Sequence, residues 1–294
     1  MTEWTGVSGK RILITGATRG IGLAAAQALA QRGAQLAIVA RDDARGAAAV
    51  ESIEAEGGLK VDVLHADLTS QASVRALASE ALERYPRIDV LVNNAGAIFT
   101  TRTLTVDGIE RTWALNHLAP FLLTALLLDR LKQSAPARVI TTSSDAHKGK
   151  LIPFDDLNAE RSWTGRGFTR YGETKLANIM FTRELARRLE ATGVTAYCFH
   201  PGLVATGFNR NNGALMTTAM VIIAPFARSP RKGAQTLVWL ADSLDVSNQT
   251  GGYYEDRALA ASSRQAQDPA LARRLWEISE EQVRPRAAAG TNCS

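Results

Sequence analysis

The chain has 294 residues, of which 46% are hydrophobic, so it can bury a large core as one α/β domain or two small ones. The formal net charge is only +5 and the basic residues are scattered in pairs, which argues against a nucleic-acid partner. The two cysteines, Cys198 and Cys293, provide neither a disulfide framework nor a metal-binding set, and they favour a reducing compartment.

The sequence carries no signal for export. Its start, "MTEWTGVSGKR", lacks the apolar stretch of a secretory signal, and the apolar runs further on look too short to cross a bilayer as one helix. Without export, the glycosylation sequons at Asn248 and Asn292 carry no meaning. We therefore expect a soluble, cytoplasmic protein with no membrane span.

Apolar segments alternate with helical patterns along the chain. Strands are predicted at 11–15, 35–40, 60–66, 88–94, 137–144 and 194–200. Helices are predicted at about 20–32, 70–84, 106–132 and 171–191, and an alanine-rich helix after the second strand ends at Glu56. An amphipathic helix at 268–283 is expected to pack on the body of the protein. Continuously apolar strands indicate a parallel sheet covered on both faces. The alternation predicts a doubly wound, Rossmann-type α/β fold, and we expect a single domain over residues 1–294.

Two stretches interrupt this alternation. Residues 145–170 are too long for an ordinary connection between a strand and a helix, and residues 207–230 are more apolar than a loop requires. Both leave from carboxyl ends of predicted strands, where a doubly wound sheet binds its ligands. We expect them to form the walls of a substrate site, and the apolar character of the second favours a lipophilic substrate.

A glycine-rich turn, "TGATRGIG", follows the first strand. Gly16, Gly20 and Gly22 allow a tight turn and close approach of a ligand, and the helix that follows can offer its N–H groups to a pyrophosphate. The spacing is G-x-x-x-G-x-G, which differs from the common dinucleotide fingerprint. By itself the turn could also be a plain strand-to-helix connection.

The end of the second strand bears on the choice of dinucleotide. Enzymes that use NAD place an acid there to bind the ribose 2′-hydroxyl. Here the sequence is "VARD", with Arg41 before Asp42, and Arg19 of the glycine turn can lie close by. Two guanidinium groups suit a 2′-phosphate, so NADP is favoured. Because Asp42 could still bind a ribose, NAD stays possible.

The stretch "YGETK" places Tyr171 and Lys175 on one face of a helix. At about 4 Å and an effective dielectric constant of about 20, the ammonium would favour the phenolate by up to ~4 kcal/mol and move the phenol pKa towards neutrality. Such a tyrosine could exchange protons at physiological pH. The simpler alternative is a helix start with two half-exposed polar side chains.

Seven motifs occur in one order: "TGATRGIG", "ADL", "NNAG", "LNHLAPFLLT", "VITTSS", "YGETK" and "HPGLVAT". Together they resemble the short-chain dehydrogenase/reductase family over about residues 10 to 255. The stretches "NHLAPFLLT", "SSDAHKGK" and "KLANIMFTREL" are most similar to its retinol-dehydrogenase-like branch. Each motif alone is weak, but their order is specific.

The resemblance implies catalytic roles for four residues. Tyr171 matches the catalytic acid/base, and Lys175 matches the residue that lowers the tyrosine pKa and holds the nicotinamide ribose. Ser144 matches the serine that hydrogen-bonds the reacting oxygen, with Ser143 the weaker candidate, and Asn116 matches the asparagine that supports a water relay behind the lysine.

The resemblance also implies a set of cofactor contacts. In the glycine turn and after the second strand they are Gly16, Thr18, Arg19, Gly20, Ile21, Gly22 and Arg41. At the adenine and its ribose they are Asp67, Leu68, Asn94, Ala95 and Gly96, and under the nicotinamide carboxamide they are Pro201, Gly202, Val204 and Thr206. For Gly96 and Pro201, a purely structural role in a turn is an open alternative.

These features predict an NADP-preferring oxidoreductase that interconverts an alcohol and an aldehyde or ketone, with a small apolar molecule as its partner. The alternatives are a reductase of carrier-bound 3-oxoacyl groups and a non-enzymatic NADP(H) sensor or scaffold. The four histidines never fall at metal-ligand spacing, so no metal site is expected. A homo-oligomer is possible, as is common among members of the family that the sequence resembles.

Overall fold

The computed structural model describes residues 3–204 and 227–285. In these residues eight strands form one sheet: β1 (Arg11–Thr15), β2 (Gln35–Ala40), β3 (Asp62–His65), β4 (Val90–Asn93), β5 (Ala137–Thr142), β6 (Val194–His200), β7 (Tyr253–Glu255) and β8 (Ala258–Leu259). Their order is β3-β2-β1-β4-β5-β6-β7-β8, and every pair is parallel except β7 with β8. The predicted doubly wound fold is confirmed, with an antiparallel edge strand that the sequence did not reveal.

Helices cover both faces of the sheet. They are α1 (Gly20–Ala30), α2 (Asp43–Gly57), α3 (Gln71–Arg84), α4 (Arg111–Gln133), α5 (Phe168–Arg188), α6 (Pro230–Asp242), α7 (Arg264–Gln267) and α8 (Pro269–Val283). Successive β1 residues face opposite sides: Leu13 packs in the core with α3, α4, α5 and α8, whereas Ile12 and Ile14 pack with α1, α2 and α6. This explains why the strands are apolar at every position. The single domain over residues 1–294 stays a prediction.

Helices α4 and α5 differ in their boundaries from the prediction. Helix α4 begins at Arg111, because a bridge between Leu104 and Glu110 holds the preceding residues in a turn and the Glu110 carboxylate caps the helix. Helix α5 begins at Phe168, after Gly167 in a left-handed conformation, and ends at Arg188. Tyr171 therefore lies within the first turn of the helix.

Among the described residues, one helix is long and apolar enough to cross a membrane by length and composition. It is α4, with 23 residues, and 67% of its most apolar window is buried inside the protein. The expectation that no apolar stretch reaches this length was wrong. A buried core helix of a folded domain meets the same two criteria.

The predicted wall at 145–170 is fixed to the start of α4 by a buried ion pair. The Arg170 side chain is 2% exposed, and its Nε donates to Glu110 Oε2 at 2.9 Å. Its two terminal nitrogens donate to Glu173 Oε2 at 3.0 Å and to the carbonyl of Leu157. Because Arg170 immediately precedes Tyr171, this pair also fixes the beginning of α5. The other predicted wall, 207–230, lies almost entirely outside the described residues.

We expect Arg170→Met to lower the free energy of unfolding by about 3–5 kcal/mol, since it leaves the Glu110 carboxylate buried without its cation. Urea unfolding followed by circular dichroism measures this change. Arg161→Met is the matched control, because the Arg161 side chain is 64% exposed and its ion pair among residues 3–204 and 227–285 is with exposed Asp155 of the same stretch. The control should change stability by less than about 1 kcal/mol. Equal losses in both variants would contradict the assigned role of the buried pair.

Candidate active site

The carboxyl ends of β1, β2, β4, β5 and β6 open onto a cleft of about 580 Å³. Its lining includes the glycine turn, the loops after β3 and β4, Ser144, the first turns of α5 and the residues after β6. Every predicted site residue in the described part of the chain lines this cleft except Asn116. Thr206 lies outside the described residues.

The glycine turn is shaped first by the protein's own packing. A Cβ on Gly22 would lie 2.1 Å from the carbonyl oxygen of Gly16, and one on Gly16 would lie 2.7 Å from Ala95 Cα. Gly20 opens α1 with a φ of +58°. Within the described residues, no side chain caps the first N–H groups of α1, whereas Asp42 and Ser70 cap α2 and α3. The start of α1 can therefore offer its backbone donors to an anion in the cleft.

The Asn94 side chain holds three strand ends together. Its Nδ2 donates to the carbonyl oxygens of Thr15 at 3.2 Å and Gly16 at 3.1 Å. Its Oδ1 accepts from Thr142 Oγ1 at 3.2 Å. The amide therefore links β1, β4 and β5 at the edge where the cleft opens. These three bonds all go to the protein, so the action of Asn94 on a dinucleotide would be exerted through the shape of the turn.

Tyr171 and Ser144 both line the cleft. The Ser144 hydroxyl accepts the backbone N–H of Ala146 at 3.2 Å. Burial raises the pKa of Tyr171 to about 12, and the Ser144 side chain offsets this rise only in part. The phenol is therefore protonated at neutral pH.

The lowering of the Tyr171 pKa by Lys175 stays a prediction, because burial is the main influence on that pKa in the structure. Lys175 Nζ lies 5.3 Å from the centroid of the Tyr171 ring and donates to the carbonyl oxygen of Thr142 at 3.1 Å. The lysine is itself 2% exposed, and burial lowers its pKa to about 8. Burial thus disfavours both charged forms, the phenolate and the ammonium, more than their proximity favours them.

Asn116 lies in a π-helical turn, Ala114–Leu118, within α4 and is fully buried. Its Nδ2 donates to Ala97 O at 2.9 Å and to Thr174 Oγ1 at 3.2 Å, and its Oδ1 accepts from Ala97 N at 2.9 Å. It therefore ties the loop after β4 to α5. Such turns often occur at functional sites. The water relay implied for Asn116 by the family resemblance stays a prediction.

The two serines that follow β5 have different surroundings. Ser143 is 1% exposed and its hydroxyl donates to the carbonyl oxygen of Lys175 at 2.7 Å, which fixes β5 to α5. Both serines line the cleft, but it is the Ser144 side chain that lowers the pKa of the Tyr171 phenol. This geometry assigns a structural bond to Ser143 and leaves Ser144 as the candidate for the reacting oxygen.

Three arginines line the end of the cleft beyond β2: Arg19, Arg41 and Arg45. The Asp42 carboxylate caps α2, with its Oδ1 accepting the N–H of Arg45 at 3.0 Å. Arg45 was missed at the level of sequence. The sequence signal that could have found Arg45 is Asp42 as a helix cap. A cap at Asp42 makes Arg45 the third residue of α2 and so places it at the end of the cleft beyond β2.

Apolar residues form the other end of the cleft. Phe99, Phe168 and Leu203 line it, and the Arg111 guanidinium lies 4.2 Å from the centroid of the Phe99 ring. Trp163, within the predicted wall at 145–170, does not line the cleft, and its Nε1 donates to the carbonyl oxygen of Thr100 at 3.2 Å.

A parallel sheet with a glycine turn at β1 and a Ser–Tyr–Lys group at the carboxyl ends of the strands defines the class of dinucleotide-dependent oxidoreductases. The family model described as short chain dehydrogenase matches residues 10–216. The chain belongs to this family, whose members act on CH–OH and carbonyl groups.

Individual relatives cover nearly the whole chain. Retinol dehydrogenase 14 of Mus musculus is 43% identical over 289 residues, which is 94% of this chain and 86% of that protein. DnrU of Streptomyces sp. (strain C5), named as a daunorubicin C-13 ketoreductase, is 44% identical over 282 residues, with 96% and 95% covered. These likenesses support the retinol-dehydrogenase-like branch of the family.

Solved structures show the same fold. An uncharacterized protein from Mycobacterium paratuberculosis has a TM-score of 0.75 and 33% identity, and the match covers 96% of this chain and 98% of that one. The Pseudomonas aeruginosa RhlG/NADP active-site complex has a TM-score of 0.69 and 29% identity, over 92% and 100% of the two chains.

Within residues 3–204 and 227–285, no group of three or more His, Cys, Asp or Glu side chains could hold a metal ion.

The two neighbouring serines provide a matched test. We expect Ser144→Ala to lower kcat by about 10²–10³, because it removes a donor aimed at the oxygen on which charge develops. Ser143→Ala should leave kcat within about twofold and lower the free energy of unfolding by about 1 kcal/mol, since it loses one buried hydrogen bond. Steady-state kinetics and urea unfolding separate the two effects. Equal kcat values for both variants would contradict the assignment.

Proposed function

We propose that the protein is an NADP-preferring reductase of a lipophilic aldehyde or ketone, with Tyr171 as the proton donor. The observation that carries this proposal is that Ser144, Tyr171 and Lys175 line one cleft, with the Lys175 ammonium 5.3 Å from the centroid of the tyrosine ring. These side chains leave α5 and the end of β5, two rigid elements, so their relative position is fixed before a substrate enters.

The protonated phenol supports the direction of reduction. When bound, a nicotinamide dinucleotide supplies the hydride. Negative charge then develops on the carbonyl oxygen, and the hydroxyl groups of Ser144 and Tyr171 are both able to donate to it. A phenol with a pKa of about 12 carries its proton at neutral pH, which is the state required for donation. Lys175, held on the Thr142 carbonyl, stabilises the charge that the tyrosine acquires when it gives up that proton.

The three arginines beyond β2 support NADP as the dinucleotide. Guanidinium groups suit a phosphate through charge and paired hydrogen bonds. Asp42, the residue that kept NAD possible, has its carboxylate on the N-terminus of α2. Two related structures contain NADP: the RhlG complex, and a short chain dehydrogenase from Burkholderia cenocepacia J2315 at 28% identity and a TM-score of 0.67.

We expect NADPH to bind more tightly than NADH, and Arg41→Ala to weaken NADPH binding by about tenfold with little effect on NADH. The reason is that Arg41 would contact only the 2′-phosphate. Quenching of tryptophan fluorescence gives both dissociation constants. Asp42→Asn is the control, because asparagine caps a helix as well as aspartate does. A marked loss of NADH affinity in this control would show that Asp42 binds the ribose, and the preference for NADP would be wrong.

The apolar end of the cleft supports a lipophilic substrate. Phe168 is 42% exposed and Leu203 is 54% exposed, and both line the cleft beside Phe99. Large apolar side chains that stay exposed together around a cleft mark a binding surface for an apolar group. The names of two relatives refer to retinol and to daunorubicin, which are both much larger than a simple ketone.

We expect kcat/KM with NADPH to rise along the straight-chain aldehydes from propanal to decanal, by up to about fourfold for each methylene group that the cleft buries. Tyr171→Phe should abolish turnover while NADPH still binds, because it removes only the hydroxyl that donates the proton. Oxidation of NADPH is followed by absorbance, with retinal as a further substrate. Equal rates for all chain lengths would argue against an apolar site, and an active Tyr171→Phe variant would refute the proton-donor role.

A further inference from the structure

A buried histidine lies directly beside the catalytic serine. His147 is 0% exposed and ends a short 3₁₀ helix, Asp145–His147, that follows Ser144. Its Nδ1 is 2.7 Å from the carbonyl oxygen of Ser144. Its Nε2 is 3.2 Å from the backbone nitrogen of Ser263, which precedes α7 and is 116 positions away in sequence. The imidazole thus touches two distant parts of the chain with opposite edges.

The chemistry of these two partners determines which nitrogen carries the proton. A backbone N–H can only donate, so Nε2 accepts from Ser263 through its lone pair. A carbonyl oxygen can only accept, so Nδ1 carries the hydrogen and donates to Ser144. The ring is therefore a neutral imidazole in the Nδ1–H form. Burial lowers the pKa of His147, which favours the same neutral state.

The short 3₁₀ helix is held on both sides. Towards α5, a Cβ on Gly172 would lie 2.4 Å from the carbonyl oxygen of Ala146, so the two backbones are in close contact. Towards β7, the Tyr253 hydroxyl donates to Asp145 Oδ1 at 3.1 Å, and its ring lies edge-on to His147 at 5.2 Å. Asp145 also pairs with Lys148 at 2.9 Å. These contacts confine the turn. The carbonyl of Ser144 accepts from the backbone N–H of His147 at 3.1 Å as well as from the imidazole, and the imidazole is the group that joins it to Ser263.

We propose that His147 is a positioning residue, which links the backbone of Ser263 to the carbonyl of Ser144 and so sets the place of the hydroxyl that faces Tyr171. The segment that leads into α7, far from the cleft in sequence, becomes part of the scaffold of the active site. The kinetic consequence rests on the proposed function, because it requires Ser144 to act on the reacting oxygen. The link and its tautomer do not depend on that function.

Two substitutions remove the same hydrogen bond from opposite sides. His147→Asn keeps an N–H near the Nδ1 position for Ser144 but cannot reach Ser263. Ser263→Pro removes the backbone donor, and the native φ of −64° suits the proline ring. Ser263→Ala is the matched control, since it keeps the N–H and loses only the hydroxyl that caps α7. The double variant His147→Asn/Ser263→Pro closes the cycle.

With decanal and NADPH, each single variant should lower kcat by about fivefold to tenfold, the effect of one hydrogen bond. The double variant should show no further loss, and Ser263→Ala should match the wild type. The dissociation constant of NADPH should stay unchanged throughout, because neither His147 nor Ser263 lines the cleft. Additive losses in the double variant, or lower melting temperatures with unchanged kcat, would overturn the positioning role.

A spectroscopic measurement tests the link without any turnover. In protein labelled with ¹⁵N-histidine, the ring signals that disappear in His147→Asn belong to His147. They should show a protonated Nδ1 and an unprotonated Nε2, and the Nε2 shift should move in Ser263→Pro but not in Ser263→Ala. A protonated Nε2, or no response to Ser263→Pro, refutes the link. If the wild type turns over no aldehyde, the proposed function fails, and these spectra still decide on the link.

Discussion

The active-site edge depends on how Thr15 and Asn94 fasten the ends of neighbouring strands. Thr15 Oγ1 accepts the backbone N–H groups of Asn94 at 3.0 Å and Ala95 at 3.1 Å, while its proton goes to the carbonyl of Val92 at 3.2 Å. The Asn94 amide returns two bonds to the glycine turn and accepts one from Thr142. The turn that would hold a pyrophosphate and the strand that carries the serines therefore share one rigid base, so their separation is fixed by the fold.

Burial at that edge changes the acid–base chemistry of the tyrosine. Helix spacing alone places a cation near a phenol and predicts a lowered pKa. In the structure the lysine amine lies beside the ring and bonds a backbone carbonyl, and desolvation raises the pKa of Tyr171 while it lowers that of Lys175. A pair arranged in this way keeps its proton on the tyrosine at neutral pH and suits donation to a carbonyl oxygen.

The sequence was most informative where structure depends on neighbouring residues. Continuous apolar runs predicted β1, β2 and β6 with their observed boundaries, and Asp268–Pro269 marked the start of α8. Strands β7 and β8 have three and two residues, too few for a periodic pattern, and β8 exists only because it pairs with β7. The start of α4 depended on a turn closed by a bridge between Leu104 and Glu110, which no helix propensity encodes.

In the candidate site too, the residues in local motifs could be predicted, whereas contacts between distant segments could not. Its candidate catalytic residues could be proposed from sequence because each lies in a short recognisable motif. The role of Asp42 could not, because it depended on whether the carboxylate caps α2 or faces a ribose. The histidine beside Ser144 could not be interpreted from sequence at all, because its second partner is 116 positions away. A residue that joins two distant segments leaves no periodic or spacing signal. A hydrogen bond that joins an active site to a distant segment can therefore be recognised only in the folded structure.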